Sequence, residues 1–222
     1  MTEYVPLAFA AEALYPPINT LTASSLRDCY NKLAEPCRFT EFKQVGEGQG
    51  ARLAENNNRH LTIMADRFVY RDEFTQSLYG IFCEDVLRII RTLKEHFQVS
   101  ALLHSKVLVR LLMPKPVQAE NASNILQNKL LSGSNADTSV FERPLSGLGI
   151  RLVFPPTQEQ HSTFQMRIEP YYRDQKMFYL EVNSQFFDPI VNIEDLQNNL
   201  DEAYNFARDK GGPFLNSLLN SA

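Results

Sequence analysis

The feature that most constrains this fold is an order of elements that occurs twice, short alternating strands followed by a long amphipathic helix. The first long helix carries apolar residues along one side from Phe82 to Phe97, while Arg88, Arg91 and Lys94 lie toward the other. Such a helix covers a sheet with its apolar side and leaves the opposite side in water. We therefore expect an α+β fold with a largely antiparallel sheet and helices packed on one face.

The first half is predicted to contain an opening strand, a short helix, three strands and the long helix. Tyr4–Tyr15 is interpreted as an edge strand that ends at Pro16-Pro17, with a short helix as the alternative. A helix is expected from Ser25 to Pro36, because Leu26, Cys29, Tyr30 and Leu33 recur at helical spacing. The three strands are placed at 39–45, 51–55 and 60–70, and a helix start is placed at 72–77.

The second half is predicted to follow the same plan after a separating strand, Ala101–Met113. A helix is placed at Ala119–Leu131 with Gly133 as its cap, and strands follow at 149–154, 163–170 and 177–182. If 173–175 forms a hairpin loop, Arg167 falls opposite Glu181 and Ile168 opposite Leu180. A last helix is expected from Ile193, interrupted at Gly211-Gly212 and resumed at Pro213.

Both halves thus follow the plan of a helix, three strands and a long helix, and this predicts two pseudo-repeats. Laying residue 61 on residue 178 aligns Leu61–Ala65 with Phe178–Val182 without a gap. The alternative is that any two strand–helix units would align as well. We expect an N-terminal α+β half at 1–116 and a C-terminal α+β half at 117–222, as separate units or as one compact unit.

Composition and charge exclude several classes of function. The 222 residues carry a net charge of -4, and no cluster of Lys and Arg occurs, which argues against nucleic-acid binding. The three cysteines form no Cys-x-x-Cys pair, as is typical of a reducing compartment. The amino terminus lacks the basic region of a secretory signal, and no run of about 18 apolar residues suggests a membrane span. We therefore expect a cytoplasmic protein without membrane segments.

The sequence contains one glycine cluster, Gly46-x-Gly48-x-Gly50, which has neither the spacing of a dinucleotide-binding motif nor the Lys-Ser/Thr of a P-loop. It is interpreted as a hairpin turn. No histidine has a second His or Cys at metal-ligand spacing, and no Gly-x-Ser-x-Gly motif occurs. No cofactor and no metal are therefore expected, although scattered residues could still assemble a metal site.

The polar face of the sheet, opposite the helices, is the candidate site. Arginines and a tyrosine there could line a groove for a carboxylate, a phosphate or an acidic partner segment. A polar sheet face is also commonly just solvated, and edge pairing into a homodimer would compete for the same surface. The candidate ligand-binding residues are His104, Arg110, Arg151, Arg167 and Tyr179.

Four segments within the last 75 residues or so form a recognisable pattern: Gly149-Ile150-Arg151-Leu152, Met166–Pro170, Phe178–Val182 and Leu200–Tyr204. This part of the chain resembles a family of uncharacterised, sporadically distributed bacterial proteins. The amino-terminal half departs from the family pattern, and Gly211-Gly212 breaks a helix that the family would continue. The resemblance implies a bacterial origin and a shared fold, and it assigns no role to any residue.

Two functions therefore stay open. The first is a non-enzymatic protein-interaction or assembly module that acts as a homo-oligomer or binds a protein partner. The second is a small anionic ligand-binding protein, or an enzyme, that uses a groove on the polar sheet face. Whether the protein is an enzyme is not decided by its sequence.

Overall fold

A computed structural model describes residues 4–19, 21–46, 49–114, 121–131, 138–143 and 145–220 of the chain. Several predicted features lie outside these residues: the middle of the glycine cluster at 47 and 48, the helix start at 119 and 120, the cap Gly133, and the boundary between 116 and 117. The α+β fold class is confirmed. The described residues form one antiparallel sheet of nine strands with helices on one of its faces.

The nine strands lie in the order β2-β3-β4-β5-β1-β6-β9-β8-β7, so β2 and β7 are the two edges. Their bounds are β1 Val5–Leu14, β2 Glu41–Val45, β3 Gly50–Ala54, β4 Arg59–Met64, β5 Arg67–Glu73, β6 His104–Pro114, β7 Ile150–Phe154, β8 Ser162–Pro170 and β9 Met177–Phe186. The sheet is continuous from the first half to the second, because β1 pairs with β6 along most of its length.

The helices cover one face of this sheet and enclose the apolar core against it. Their bounds are α1 Ala23–Leu33, α2 Tyr79–Phe97, α3 Ala122–Leu131, α4 Ile193–Asn205 and α5 Gly212–Asn220. A π-helical turn at Phe206–Gly211 joins α4 to α5, so the interruption begins before the predicted Gly211-Gly212, and Gly212 is already the first residue of α5. A side chain at Gly211 would meet the Met166 sulfur at 2.9 Å, so this turn lies close against the sheet.

The prediction that the opening segment is an edge strand is wrong, because β1 lies in the middle of the sheet. It pairs with β5 on one side and β6 on the other. Its sequence explains the position. Ala8, Phe9, Ala11 and Ala13 are all buried, and small residues facing both sides suit a strand with neighbours on either edge.

The single strand predicted at 60–70 is two strands in the structure. The chain turns at Ala65-Asp66, so β4 and β5 form a hairpin in which Leu61 lies opposite Tyr70. Four strands therefore lie between α1 and α2, not three. β5 continues to Glu73, and α2 begins at Tyr79 rather than within 72–77.

The β4–β5 hairpin changes how the two halves can be aligned. β5 lies beside β1 and precedes α2, as β9 lies beside β6 and precedes α4. The register of residue 61 on residue 178 aligns β4 with β9 instead, because it treats β4 and β5 as one strand. The internal repeat itself stays a prediction.

The second-half hairpin matches its prediction. Arg167 lies opposite Glu181, and Ile168 lies opposite Leu180. At the first helix, Thr22 accepts a hydrogen bond from the Ser25 backbone while the Ser25 hydroxyl accepts one from the Thr22 backbone. This capping box makes Thr22 the N-cap, so α1 starts at Ala23, two residues before the expected Ser25. Among the described helices, none is long and apolar enough to cross a membrane.

Candidate functional site

The face of the sheet opposite the helices, here called the outer face, carries most of the sheet's charged residues. Strand alternation places apolar residues under the helices and polar residues on the outer face. β1 differs from its neighbours there, because it presents Ala8 and Ala10. The small side chain of Ala10 leaves a trough above β1, with a volume of about 220 Å³ and walls that include Arg71, Lys106 and Arg110.

Arg110 on β6 joins carboxylates from both halves of the sheet. Its Nε atom donates to Oε2 of Glu181 on β9 at 2.8 Å. Its Nη1 atom donates to Oε1 of Glu73 on β5 at 3.1 Å, and this contact reaches across β1 at Ala8. Arg110 therefore links the two halves of the sheet on the outer face.

Glu181 is the centre of the ionic network around Arg110. The Tyr179 hydroxyl donates to its Oε2 atom at 2.5 Å, and Arg167 lies 3.6 Å from its Oε1 atom. Burial acts to raise the pKa of Glu181, but hydrogen bonds from Tyr179 and Arg110 outweigh it and hold this pKa below its usual value. Burial and the adjacent carboxylate raise the pKa of Tyr179, so its hydroxyl stays protonated.

An aromatic pocket opens beside this network, at the end of the trough. It has a volume of about 280 Å³, and Arg110 lines both the trough and the pocket. Tyr172 is 78% exposed and Phe74 is 45% exposed at its mouth. The other lining residues include Leu7, Tyr171, Tyr179 and Arg167.

The mouth of the pocket is held in place by Arg173 and by an unusual backbone. The guanidinium carbon of Arg173 lies 5.4 Å from the ring centre of Phe74 and 5.3 Å from that of Tyr172. Phe74 has a φ of 59°, and its backbone N–H donates to the Leu7 carbonyl at 2.7 Å. A bulky residue in this left-handed region stores strain, which is more common at functional positions than elsewhere.

The structure brings together three of the five predicted site residues: Arg110, Arg167 and Tyr179. Arg151 lies opposite Arg167 on edge strand β7, and its Nη2 atom donates to Gln165 at 2.9 Å. His104 lies at the other end of β6, where its ring stacks on Phe187 at 5.2 Å. Burial and the charge of Lys106 lower the pKa of His104, so this ring is neutral near pH 7.

A buried ionic cluster that the sequence pattern did not predict lies on the helix side of the sheet. Arg59 is 3% exposed, and its Nη2 and Nε atoms donate to Oδ2 of Asp72 at 2.8 and 3.2 Å. Its Nη1 atom donates to Glu55 at 2.9 Å, and Ser77 accepts from Nη2. The only sequence signal is that Arg59 on β4 and Asp72 on β5 occupy inward positions, where the alternation calls for apolar residues.

Asp85 on α2 lies near this cluster and accepts hydrogen bonds from Tyr70 at 2.8 Å and Arg38 at 3.3 Å. Burial raises the pKa of Asp85, although the hydrogen bond from Tyr70 and the charge of Arg38 oppose the rise. These contacts tie α2 to β5 and to the segment after α1. Their donors and acceptors are engaged with each other, which suits a structural role.

The three cysteines are buried and unpaired. Burial raises the pKa of both Cys29 and Cys37 to about 12, so neither thiol is a ready nucleophile at neutral pH. Among the described residues, no group of three or more His, Cys, Asp or Glu is arranged to hold a metal ion.

Comparison with known proteins adds no assignment to this geometry: no protein-family model matches the chain, and no curated protein matches it. The resemblance of the C-terminal half to a bacterial family stays a prediction.

Proposed function

We propose that this protein is a non-enzymatic protein-interaction module that binds a partner protein through the outer face of its sheet. The observation that carries the proposal is the aromatic pocket. Tyr and Arg residues are enriched where protein interfaces hold most of their binding energy, and Phe is enriched in interface cores. At this pocket Phe74 and Tyr172 are both substantially exposed and both lie against Arg173.

The size of the pocket indicates what a partner would insert. A volume of about 280 Å³ holds one large side chain, and the lining of Leu7, Phe74, Tyr171, Tyr172 and Tyr179 favours an apolar or aromatic one. The trough over Ala10 continues from the pocket through Arg110. An extended segment of the partner would then follow the trough after its anchoring side chain.

The charges around the pocket favour binding over catalysis. Arg110, Arg167 and Tyr179 are each engaged by Glu181, so they stiffen the surface and do not present a free acid or base. The same pairing disfavours the alternative of a small anion bound by these arginines. A cytoplasmic location fits this proposal, because the three buried cysteines are unpaired.

Peptide selection tests the proposal without a known partner. The wild-type protein is the bait for a random peptide library, and Phe74→Asn/Tyr172→Ser is the comparison variant. Enriched peptides should share a large apolar residue and bind the double variant at least about tenfold more weakly. Phe141→Ser is the matched control, because Phe141 is an exposed aromatic residue on a different segment.

Three outcomes would contradict the proposal as stated. The library yields no enrichment, the enriched peptides bind the double variant as they bind the wild type, or Phe141→Ser weakens binding equally. Sedimentation velocity tests whether the partner is a second copy of this chain. That would be so if the wild type is a dimer and the double variant is a monomer.

A further inference from the structure

The cations of the outer face fall into two groups that differ in their partners. Arg67, Lys106, Arg110 and Arg167 all lie within 4.0 Å of carboxylate oxygens. A second group lies on β2 to β5 and has no ion pair with any described residue. We call this group the cationic patch; its cations are Lys43, Arg52 and Arg71, and the His60 ring lies among them.

The strand register places these four side chains side by side. Lys43 lies opposite Arg52, and His60 lies opposite Arg71. Arg52 lies opposite Thr62, two residues from His60, so the two pairs are diagonal neighbours. Directly opposite residues on one sheet face have Cβ atoms about 4.5–5.5 Å apart, so the like charges of Lys43 and Arg52 destabilise the sheet.

Nearby carboxylates do not neutralise the cationic patch. Glu73 lies on the same face but is bound to Arg110. Glu41, at the start of edge strand β2, has no ion pair with a described residue and lies opposite Ala54 rather than opposite a cation. The Nε atom of Arg52 and the Nδ1 atom of His60 are buried without a hydrogen-bond partner. Burial, Arg52 and Arg71 together lower the pKa of His60, as expected where positive charge is uncompensated.

We propose that the cationic patch is a docking site for an acidic segment of the partner protein. This inference rests on the proposed function and deepens it, since it states the charge of the partner. Charge complementarity supports it: carboxylates would pair with the exposed Lys43 and Arg71 and relieve the repulsion between neighbouring cations. The patch lies on an open sheet surface, which suits a peptide chain better than a small ligand.

The patch also lies in line with the aromatic pocket. Arg71 belongs to both the patch and the wall of the trough, and the trough reaches the pocket at Arg110. One partner segment can therefore place an apolar side chain in the pocket and carboxylates on β3 to β5.

Hexaglutamate measured by isothermal titration calorimetry is the probe, because it has no apolar side chain for the pocket. Hexaglutamine is the neutral control, and each titration is repeated at higher salt. We expect hexaglutamate alone to bind, and to bind more weakly as salt rises. Arg52→Gln/Arg71→Gln should weaken binding about tenfold. If that variant fails to fold, Lys43→Gln/Arg71→Gln takes its place, because it removes two exposed charges. It should weaken hexaglutamate binding to the same extent.

The control variant Arg91→Gln/Arg151→Gln removes the same net charge at exposed positions outside the patch, and it should bind as the wild type does. Absent binding, or equal loss in this control, would overturn the inference. The inference would also be overturned if inorganic phosphate or a single-stranded oligonucleotide bound more tightly than hexaglutamate, because the ligand would then belong to another class. Self-association that the patch variants remove would assign the patch to a second copy.

The outcomes separate this inference from the proposed function. Phe74→Asn should bind hexaglutamate as the wild type does. If the patch variants lose hexaglutamate while no library peptide depends on Phe74, the aromatic pocket proposal fails alone. If library peptides depend on Phe74 while the patch variants bind hexaglutamate normally, the acidic-segment inference fails alone.

Discussion

Arg110 and Glu73 form an ion pair that crosses the central strand of the sheet. The Nη1 atom of Arg110 on β6 lies 3.1 Å from the Oε1 atom of Glu73 on β5, and β1 lies between the two strands. Ala8 of β1 lies between these two residues, opposite Glu73 on one side and opposite Arg110 on the other. Since alanine has no atom beyond Cβ, the guanidinium can extend over it. A small residue at position 8 is therefore a condition for this pair.

Enlarging Ala8 should break the pair and destabilise the fold. Ala8 is 2% exposed, so the methyl groups of Ala8→Val have no free space and should cost about 1–3 kcal/mol of unfolding free energy. Ala10→Val is the matched control, because Ala10 lines the open trough and the change should stay within about 0.5 kcal/mol. Urea unfolding measures both. Equal losses would show that the trough is not open above Ala10.

Glu181 should contribute to the loss of stability in acid. Its pKa is lower in the folded chain than in the unfolded chain, so its contribution is present above its ordinary pKa of 4.5 and is lost as pH falls through the folded value. In Glu181→Gln this contribution is absent. The stability difference between wild type and variant should therefore shrink as pH falls from about 6 to 3.

Urea unfolding at several pH values measures that difference. Glu169→Gln is the control, since the Glu169 carboxylate is 41% exposed and lies 3.6 Å from Arg167. A difference that stays constant with pH for Glu181→Gln would contradict the account of this network.

The buried pair of Arg59 and Asp72 should be costly to break from one side. Arg59→Met leaves the Asp72 carboxylate buried without its cation and should cost about 3–5 kcal/mol. Arg59→Met/Asp72→Leu removes both charges and should recover much of that loss. Arg67→Met is the surface control and should change stability little, because Arg67 pairs with the exposed Asp66. A double variant as unstable as the single one would mean that packing, not charge, dominates.

Phe74 should be dispensable for stability although it is a large aromatic residue. Its φ of 59° favours Asn and penalises a β-branched residue. We expect Phe74→Asn to melt at or above the wild-type temperature and Phe74→Val to lose about 1–3 kcal/mol. Differential scanning calorimetry measures both. A large loss in Phe74→Asn would show that the ring stabilises the fold and would weaken its assignment to binding.

The alternation of the later strands, together with the assumed hairpin loop at 173–175, predicted their pairing. Arg167 and Ile168 alternate along β8, and only one register with β9 places Glu181 and Leu180 opposite them. The helices were predictable for the same reason, since each has one apolar side. Local pattern failed where the chain gives a weak turn signal, as at Ala65-Asp66, where neither Gly nor Pro marks the end of β4.

The candidate site was less predictable because its contacts join distant parts of the sequence. Residue type and alternation placed Arg110, Arg167 and Tyr179 on one face, but the sequence did not show that Glu73, 37 residues from Arg110, would pair with it. The cationic patch had a readable signal, the outward cations of β2 to β5. That these cations lack carboxylate partners could not be predicted, because it depends on the strand order, in which β1 lies between β5 and β6.

The most direct measurement of the central claim is the location of a bound peptide. Backbone amide chemical shifts of the isotope-labelled protein are followed while the strongest library peptide is added. We expect the largest changes in β1, β5, β6 and β9, around Ala10, Phe74 and Arg110. Changes concentrated in α2 and α4, on the opposite side of the sheet, would contradict it.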